Sequence, residues 1–461
     1  MTQLQATKIE ELKNSLRGEI LLPGDDAYES ARKIWNAMVD KRPALIARCA
    51  TTSDVVHAVN FARDNAVLLA VRGGGHNIAG NAVCDDGIVI DLSQMKAASV
   101  DADKRRITIE GGATLADLDA ATQAHSLATP VGINSTTGVA GLTLGGGFGW
   151  LSRKYGMTID NLESAEVVTA AGEVVRASSV EHPDLFWALR GGGGNFGVVT
   201  RFEFRLHPVG PNVLSGLIIY SLSEAKSVLQ RYRDFAAKAP DDLSVWTLLR
   251  QAPPLPFLPK EVHGKEIVAL ALLYAGDPKQ GEPLIEPLRK FGTPVGEHVG
   301  VQPYTAWQQA FDPLLTAGAR NYWKSHNFST LSDGLFDVVI EYVGRLPSPQ
   351  CEIFFGALGG ATARPTPDSA AYPHRDAQFV MNFHGRWEDP ADDARCIGWA
   401  RDFFNASTPF ASGGVYVNFL TADEGDRVRA AYGSNYHRLA QMKRKYDPKN
   451  LFRMNQNIKA S

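Results

Sequence analysis

Short apolar runs alternate with amphipathic stretches over the first 210 residues of the chain. Val55, Val59 and Ala62 recur at helical spacing, which predicts a helix from Ser53 to Asn65. The other apolar runs are too short for helices and predict strands. These expected strands are Ala44–Arg48, Val67–Val71, Gly87–Leu92, Ile107–Glu110, Glu166–Thr169, Glu173–Arg176 and Val198–Leu206. The first half of the chain therefore predicts a mixed α+β domain.

The pattern changes after Pro208, where glycine becomes rarer and longer alternating segments appear. Alternation at Leu214–Tyr220, Ile267–Tyr274 and Glu352–Leu358 predicts half-buried strands, with an amphipathic helix at Ser223–Lys238. This texture is typical of an antiparallel sheet with flanking helices. It indicates a second domain, which agrees with a length of 461 residues.

Charge and composition narrow the classes of partner. The net charge is −3 and no basic stripe is present, so we expect no nucleic-acid partner. No run of about 18 apolar residues indicates a membrane span. The segment 1–19 is polar and shows no apolar signal region, so we expect a cytoplasmic location.

Cysteine and histidine spacing gives no indication of a metal site. The four cysteines are Cys49, Cys84, Cys351 and Cys396, and none forms a Cys-x-x-Cys pair. The 11 histidines show no ligand spacing with acidic residues. We therefore expect no bound metal and four buried thiols.

Glycine clusters carry the strongest chemical signal. Gly73–Gly75 follow the predicted strand Val67–Val71 and precede His76, and further clusters occupy 132–149 and 191–197. Glycines let backbone N–H groups approach a ligand closely, which suits a pyrophosphate. A lone Gly-Gly-Gly-His would equally fit a turn with a surface histidine, but several clusters indicate one extended ligand. The spacing lacks both the Gly-x-Gly-x-x-Gly dinucleotide fingerprint and a P-loop.

Five segments in order identify a family. They read Val-Arg-Gly-Gly-Gly-His-Asn (71–77), Gly-Gly-Gly-Phe-Gly-Trp-Leu-Ser-Arg-Lys-Tyr-Gly (145–156), Pro-Asp-Leu-Phe-Trp-Ala-Leu-Arg running into 191–197 (183–190), Tyr-Val-Asn (416–418) and Tyr-Asp-Pro-Lys-Asn (446–450). With them the chain resembles the FAD-linked oxidases of the vanillyl-alcohol oxidase superfamily, in the berberine-bridge-like branch. The resemblance covers nearly the whole chain.

This resemblance implies an α+β fold. It implies an FAD-binding domain of two α+β subdomains, of the PCMH type, at residues 1–210. A substrate domain with an antiparallel sheet and flanking helices follows at 211–410. Residues 411–461 then return to the FAD-binding domain.

The resemblance also implies which residues hold FAD. The pyrophosphate would be wrapped by the segment that ends in His76, and His76 would be bonded to the 8α-carbon of the flavin ring. A neutral imidazole is a suitable nucleophile for that carbon once its methyl group has lost a proton. The expected FAD-binding residues are Arg72, Gly73, Gly74, Gly75, His76, Asn77, Gly138, Gly141, Gly147, Val198 and Asn418.

Many relatives carry a second flavin bond from a cysteine. Here Asn134 takes that place within Gly132–Gly138, so we expect a single covalent link. Thr137 falls at the position that controls oxygen access in this branch, where a valine-sized side chain goes with oxidases. A turn threonine that satisfies local backbone is the alternative.

Tyr416 and Asn418 stand two apart, so on a strand both would face the same side. The resemblance places that side over the flavin and makes Tyr416 the candidate base for the substrate hydroxyl. A phenol has an ordinary pKa near 10, so a nearby cation or the field of the flavin must lower that pKa before Tyr416 can act as a base. A packing aromatic is the alternative for Tyr416.

Several residues in strand-like segments of the second domain could line the substrate pocket, although each also fits a structural role. They are Trp246, Trp323, Glu352, Phe354, His384 and Arg386.

The main functional hypothesis is an FAD-dependent oxidase of a small molecule. A substrate C–H gives a hydride to flavin N5, a base takes a proton, and O₂ reoxidises the flavin to give H₂O₂. Relatives act on sugars, alkaloids and polyketides, so the substrate stays open. One alternative is a flavin-dependent oxygenase of a polyketide-like metabolite, which the chain also resembles at Thr137, in its glycine frame and at Arg42–Cys49. Phe354, however, stands where that resemblance places an acidic residue. Others are a dehydrogenase with another acceptor and a non-catalytic flavin-binding protein.

Overall fold

A computed structural model describes residues 6–460. Its strands are β1 (Glu19–Leu21), β2 (Leu45–Arg48), β3 (Leu69–Arg72), β4 (Ile88–Asp91), β5 (Ala98–Asp101), β6 (Arg106–Glu110), β7 (Leu127–Ala128), β8 (Leu162–Val168), β9 (Val174–Ser178), β10 (Val198–Arg205), β11 (His207–Pro208), β12 (Asn212–Ser221), β13 (Leu243–Gln251), β14 (Glu266–Tyr274), β15 (Gly296–Pro303), β16 (Arg320–Phe328), β17 (Glu352–Ala357) and β18 (Phe379–Trp387). Its helices are α1 (Ala6–Ser15), α2 (Tyr28–Ala31), α3 (Thr52–Asp64), α4 (Leu115–Gln123), α5 (Val139–Leu144), α6 (Ser152–Tyr155), α7 (Pro183–Leu189), α8 (Ala225–Ala236), α9 (Pro278–Ile285), α10 (Tyr304–Gln308), α11 (Asp333–Val343), α12 (Asp393–Ser407), α13 (Val428–Tyr432) and α14 (Tyr436–Tyr446).

The first sheet has the order β1-β2-β4-β3, with β2, β4 and β3 parallel. Helix α3 connects β2 to β3 and begins one residue earlier than its expected start at Ser53. Thr51 is its N-cap, because the Thr51 hydroxyl accepts from the Asp54 N–H while the Asp54 carboxylate accepts from the Thr51 N–H. The β3 end of this sheet delivers the glycine loop that follows Arg72.

The second sheet is antiparallel, with the order β5-β6-β10-β8-β9. Strands β8 and β9 form the expected hairpin around Ala170-Ala171-Gly172. Together the two sheets make the two mixed parts that the sequence predicts for the first half of the chain.

A larger antiparallel sheet follows, with the order β15-β12-β14-β13-β17-β18-β16. Helices α8, α11 and α12 pack on one of its faces, where the Phe403 ring of α12 lies 4.3 Å from the Phe383 ring of β18. His384 follows Phe383 on the same strand and therefore points to the other face. That second face borders the cavity described below.

The chain then returns to its first half. Lys443 of α14 is fully buried, and its ammonium group donates to the Asn195 and Phe452 carbonyls at 2.8 Å and to the Asp447 carboxylate at 2.7 Å. Helix α14 ends at Tyr446, as Asp447-Pro448 predicts. We propose that the domain boundaries lie at residues 210 and 410. Between residues 6 and 460, no helix combines the length and the apolar character needed to cross a bilayer.

Candidate active site

A cavity of about 320 Å³ lies between the glycine loops of the first half and the free face of the large sheet. Three separate glycine segments contribute to its wall, around Gly73–Gly75, Gly138–Gly141 and Gly193–Gly197. The C-terminal segment contributes Asn455 and Gln456. The size falls within the usual range for ligand pockets, and its walls come from every part of the chain.

The glycine segments meet each other through their backbones. A Cβ atom on Gly74 would lie 2.3 Å from the Gly138 nitrogen, so neither position tolerates a side chain. Gly141 and Gly194 also line the cavity, and a Cβ on either would meet nothing within 4 Å. The wall therefore has open cradles where a ligand can contact bare backbone.

His76 is partly buried at the edge of this cradle. The Thr136 hydroxyl lies 2.9 Å from His76 Nε2, and the Thr137 hydroxyl lies 3.5 Å from Nδ1. The indole of Trp35 stacks on the imidazole, with ring centroids 5.1 Å apart and planes at 22°. Burial lowers the pKa of His76 to about 4, so its imidazole is neutral at physiological pH.

Trp35 links the His76 loop to the large sheet. Its backbone N–H donates to the Gly75 carbonyl at 3.1 Å, and its indole N–H donates to the Leu315 carbonyl at 2.9 Å. The Arg386 guanidinium lies 5.3 Å from the Trp35 ring. These contacts fix the plane of the indole that covers His76.

The loop that carries Asn134 is held from the large-sheet side. Asp312 accepts from the Ser135 N–H at 2.9 Å and from the Ser135 hydroxyl. Asn134 donates to the Leu315 carbonyl at 3.4 Å and accepts from the Thr136 hydroxyl at 2.7 Å. Asn134 therefore orients Thr136, whose hydroxyl contacts His76.

Tyr416 and Asn418 do face the cavity together, but the expected strand is wrong. Residues Val417–Phe419 form a 3₁₀ turn, and Tyr416 immediately precedes it. The Asn418 amide donates to the Tyr416 hydroxyl at 3.0 Å and to the Leu142 carbonyl at 3.2 Å. These two side-chain hydrogen bonds of Asn418 stabilise the 3₁₀ turn. The spacing of two residues between Tyr416 and Asn418 does not by itself predict such a turn.

The Tyr416 hydroxyl accepts two hydrogen bonds. One comes from the Asn418 amide and the other from the Gly147 N–H, each at 3.0 Å. Because both lone pairs are used as acceptors, the hydroxyl hydrogen is free to donate elsewhere. Burial raises the pKa of Tyr416 to about 12, and the two donors oppose that rise only in part.

The free face of the large sheet forms the opposite wall. Trp246, Leu248 and Arg250 alternate along β13 and all line the cavity. The register pairs Leu248 with Phe354 and Arg250 with Glu352. Pairing continues to β18 and β16, where Glu352 lies opposite His384 and His384 opposite Trp323. Strand register thus gathers the expected pocket residues on one face.

A buried charged group lies in this wall. Arg250 donates to Glu352 at 2.7 Å, and the other Glu352 oxygen lies 3.3 Å from His384 Nδ1. Burial raises the pKa of Glu352, but the Arg250 charge and the His384 hydrogen bond outweigh it and bring the pKa to about 2. Burial lowers the pKa of His384, against the opposing effect of Glu352. Glu352 is therefore ionised, paired and a weak base.

The cavity brings most of the expected site residues together. Those on its wall are Gly73, Gly74, Gly75, His76, Asn77, Thr137, Gly138, Gly141, Val198, Trp246, Trp323, Glu352, Phe354, His384, Tyr416 and Asn418.

Three expected residues lie behind that wall. The Arg72 guanidinium donates to the Ala31 carbonyl, and Gly147 reaches the site through its bond to Tyr416. Arg386 donates to the Thr316 carbonyl at 2.6 Å, on the far side of Trp35. Each of these three residues bonds to a neighbouring protein group, and in this way it supports residues of the wall.

Sequence reasoning missed Trp35, Arg250 and Phe419, which also line the cavity. Arg250 carried a usable signal, since it continues the Trp246–Leu248 alternation by one more step. Trp35 carried none, because it stands outside any predicted element and 41 positions before His76. Phe419 follows Asn418 directly, and the strand assigned there would have pointed it away from the cavity.

The described residues fit FAD. The open cradles at Gly141 and Gly194 leave bare backbone for the cofactor. The Asn455 side-chain oxygen is buried without a partner among residues 6–460 and lies on the same wall. Over that same range, no group of three or more His, Cys, Asp or Glu side chains is arranged to hold a metal ion.

Comparison with known proteins agrees with this geometry. Residues 43–178 match the model of the FAD binding domain, and residues 415–459 match the berberine and berberine-like model. The chain is 32% identical over 456 residues to an FAD-linked oxidoreductase of Dictyostelium discoideum, covering 98% of this chain and 96% of that protein. It is 31% identical over 468 residues to (R)-6-hydroxynicotine oxidase of Paenarthrobacter nicotinovorans, covering 96% and 97%.

A solved structure gives the same result. The crystal structure of 6-hydroxy-D-nicotine oxidase from Arthrobacter nicotinovorans superposes with a TM-score of 0.87 at 30% identity, covering 97% of this chain and 99% of that chain. The expected α+β fold of the PCMH type is thereby confirmed. The chain belongs to the berberine-bridge-like family of FAD-linked oxidoreductases, and it is an FAD-dependent oxidoreductase.

Proposed function

We propose that the protein is an oxidase that removes a hydride from the carbinol carbon of a small-molecule alcohol, with O₂ as the final acceptor. FAD, held by the glycine cradle, would accept the hydride and pass two electrons to O₂, which leaves as H₂O₂. The alcohol becomes a carbonyl compound, having lost one hydride and one proton. The chain's own residues hold the cofactor, orient the alcohol and manage the proton.

His76 is the residue proposed to bond covalently to FAD. Thr136 lies 2.9 Å from Nε2 and Thr137 lies 3.5 Å from Nδ1, so Nδ1 is the less tightly held nitrogen and the one proposed to form the bond. Bond formation would remove one proton from the imidazole and one from the methyl carbon that it joins, and the two electrons left on the flavin would pass to O₂, which would leave as H₂O₂. Asn134 offers no thiol, so His76 provides the single link.

Tyr416 is the residue proposed to accept the hydroxyl proton of the alcohol. The single observation that carries this role is its pair of hydrogen-bond donors, Gly147 and Asn418. Both donors already face the phenolic oxygen, so they stabilise the phenolate, which is the form of Tyr416 that accepts the proton. Glu352 is unsuited to the same task because Arg250 and His384 already occupy both of its oxygens.

Thr137 supports the choice of O₂ as acceptor. Its short side chain lines the cavity beside His76 and leaves space that a leucine would fill. The oxygen path would then lie on this side of the cradle.

Product stoichiometry tests the proposal. The holoenzyme is incubated with a panel of alcohols, sugars and phenolics, while O₂ consumption and H₂O₂ formation are both measured. We expect one H₂O₂ for each O₂ consumed and no ¹⁸O from labelled O₂ in the product. Label in the product would establish an oxygenase instead. Turnover that requires an artificial acceptor would establish a dehydrogenase.

A further inference from the structure

Aromatic rings dominate the side of the cavity that faces away from the glycine cradle. The Trp246 and Phe354 rings lie almost parallel, with centroids 5.8 Å apart and planes at 9°. Phe419 stands at 85° to Phe354, with centroids 6.1 Å apart, and at 83° to Trp323. We call Trp246, Trp323, Phe354 and Phe419 the aromatic wall. The 5.8 Å between the two parallel rings is too small to admit a third ring, which needs about 7 Å. The slot that suits a flat molecule is therefore the corner between the face of Phe354 and the perpendicular Phe419.

This slot leads to the proposed base. The Tyr416 ring lies 4.9 Å from the Phe419 ring at 82°, and both border the cavity. A flat molecule against Phe354 therefore lies in the same cavity as Tyr416 and borders the Phe419 ring that packs on Tyr416.

The charged groups beside the aromatic wall have little hydrogen-bonding capacity left. Arg250 donates to Glu352 and to the Gln251 and Pro349 carbonyls at 2.7–3.4 Å. The two Glu352 oxygens are taken by Arg250 and His384, and His384 Nε2 lies 3.1 Å from the Asn321 side-chain oxygen. These groups are therefore bonded to one another rather than directed at a ligand.

The unpartnered polar atoms of the aromatic wall are indole nitrogens. The Trp246 and Trp323 N–H groups are buried and have no acceptor in the range 6–460. Each can donate to a ligand oxygen and neither can accept a hydrogen bond. The wall thus offers flat faces and at most two donors.

We propose that the substrate is a planar aromatic alcohol, and that saccharides are excluded. A disaccharide carries many hydroxyl groups, and each one buried here without a partner costs about tenfold to a hundredfold in affinity. An aromatic ring pays no such penalty and gains about threefold to tenfold from stacking. Oxygen substituents on the ring would pair with the two indoles. This inference rests on the proposed oxidase function, since it names the class of alcohol oxidised.

Matched ligands test the inference in the holoenzyme. Binding of 2-naphthylmethanol, its fully saturated decalin analogue and xylobiose is measured from the change in the visible spectrum of the bound flavin. We expect the naphthyl alcohol to bind at least tenfold more tightly than either of the others. Equal binding of the saturated analogue, tighter binding of xylobiose, or no spectral change with the naphthyl alcohol would each overturn the inference.

Two variants identify the surface responsible. Phe354→Leu keeps the volume of the site nearly constant and should weaken naphthyl binding about threefold to tenfold, while binding of the saturated analogue changes little. Phe257→Leu is the control, because Phe257 stacks on His298 in a surface loop outside the cavity. Retained flavin shows that each variant is folded. An equal effect of both variants would contradict the assignment of the slot.

The two proposals fail in different ways. Tight naphthyl binding without H₂O₂ formation would remove the oxidase function and leave the aromatic slot intact. Oxidation of xylobiose with H₂O₂ formation, combined with weak naphthyl binding, would keep the oxidase and remove the slot.

Discussion

The Tyr416 hydroxyl receives two hydrogen bonds while its burial raises its pKa to about 12. Only the phenolate form of Tyr416 accepts a proton. As long as the pH stays below the pKa, the phenolate fraction rises tenfold with each unit of increase in pH. Flavin reduction should therefore accelerate with pH across the range from 7 to 10 without levelling off. Stopped-flow reduction by a turned-over alcohol measures this rate.

Tyr416→Phe removes the proton acceptor and keeps the ring packed on Phe419. We expect reduction to slow by roughly 10²–10⁴ and to lose its pH dependence. Bound FAD should remain, since one hydroxyl is lost. Near wild-type reduction in Tyr416→Phe, or a wild-type rate that levels off between pH 7 and 10, would place the base elsewhere.

Trp35 stacks on one face of the His76 imidazole and contributes to the burial that lowers its pKa. Trp35→Leu should let the pKa of His76 rise from about 4 toward its ordinary value of about 6.5. Because a protonated imidazole cannot bond to the flavin, covalent attachment should then slow at pH 5.5 more than at pH 8. The rate is followed by mixing FAD with apoprotein and counting flavin that stays with acid-precipitated chain.

Two controls separate stacking from general disruption. Trp35→Phe keeps an aromatic ring on His76 and should restore the wild-type pH profile. Trp323→Leu removes a ring that touches Trp35 edge-on at 5.6 Å and should leave the profile unchanged. Identical pH profiles for Trp35→Leu and the wild type would show that the stack has no role in attachment.

Among the elements, the loop Gly132–Gly138 depends on partners from the large-sheet side. Asp312→Ala removes two hydrogen bonds to Ser135, and bonds to a charged group contribute about 1.5–3 kcal/mol each. We expect a lower unfolding temperature and slower flavin attachment, because Thr136 loses its fixed position. Thermal unfolding followed by flavin fluorescence provides the measurement.

Asp333→Ala is the matched control for the loop. Asp333 pairs with Arg233 on the surface at 2.6 Å, and such exposed pairs contribute at most about 1 kcal/mol. Its unfolding temperature should stay close to that of the wild type. If both variants unfold at the same temperature, the Asp312–Ser135 contact does not stabilise the loop.

Elements also show what the sequence could predict. Hydrophobic alternation placed Trp246, Phe354 and His384 in strands, because a period of two residues is a local property. Local spacing failed at Tyr416, since the curl there comes from the Asn418 side chain bonding back to Tyr416 and to Leu142. It also gave no sign of Trp35, whose position depends on distant partners such as Leu315.

At the scale of the whole molecule, the site exists only where three segments meet. The β3 end supplies His76, the large sheet supplies three of the four rings of the aromatic wall, and the returning C-terminal segment supplies Tyr416 and the fourth ring, Phe419. Motif resemblance predicted this plan because each segment carries its own short signature. Motifs could not predict the packing between segments, such as the stack of Trp35 on His76, which depends on the complete fold.

The state of the flavin in the purified wild-type protein tests the account most directly. Acid precipitation followed by peptide mapping should leave the flavin on the chain, on the His76 peptide alone. His76→Ala should release free FAD on unfolding. Flavin on a cysteine peptide would contradict the single link. Wild-type flavin that washes out of the precipitate would contradict the role of His76 and, with it, the proposed architecture of the site.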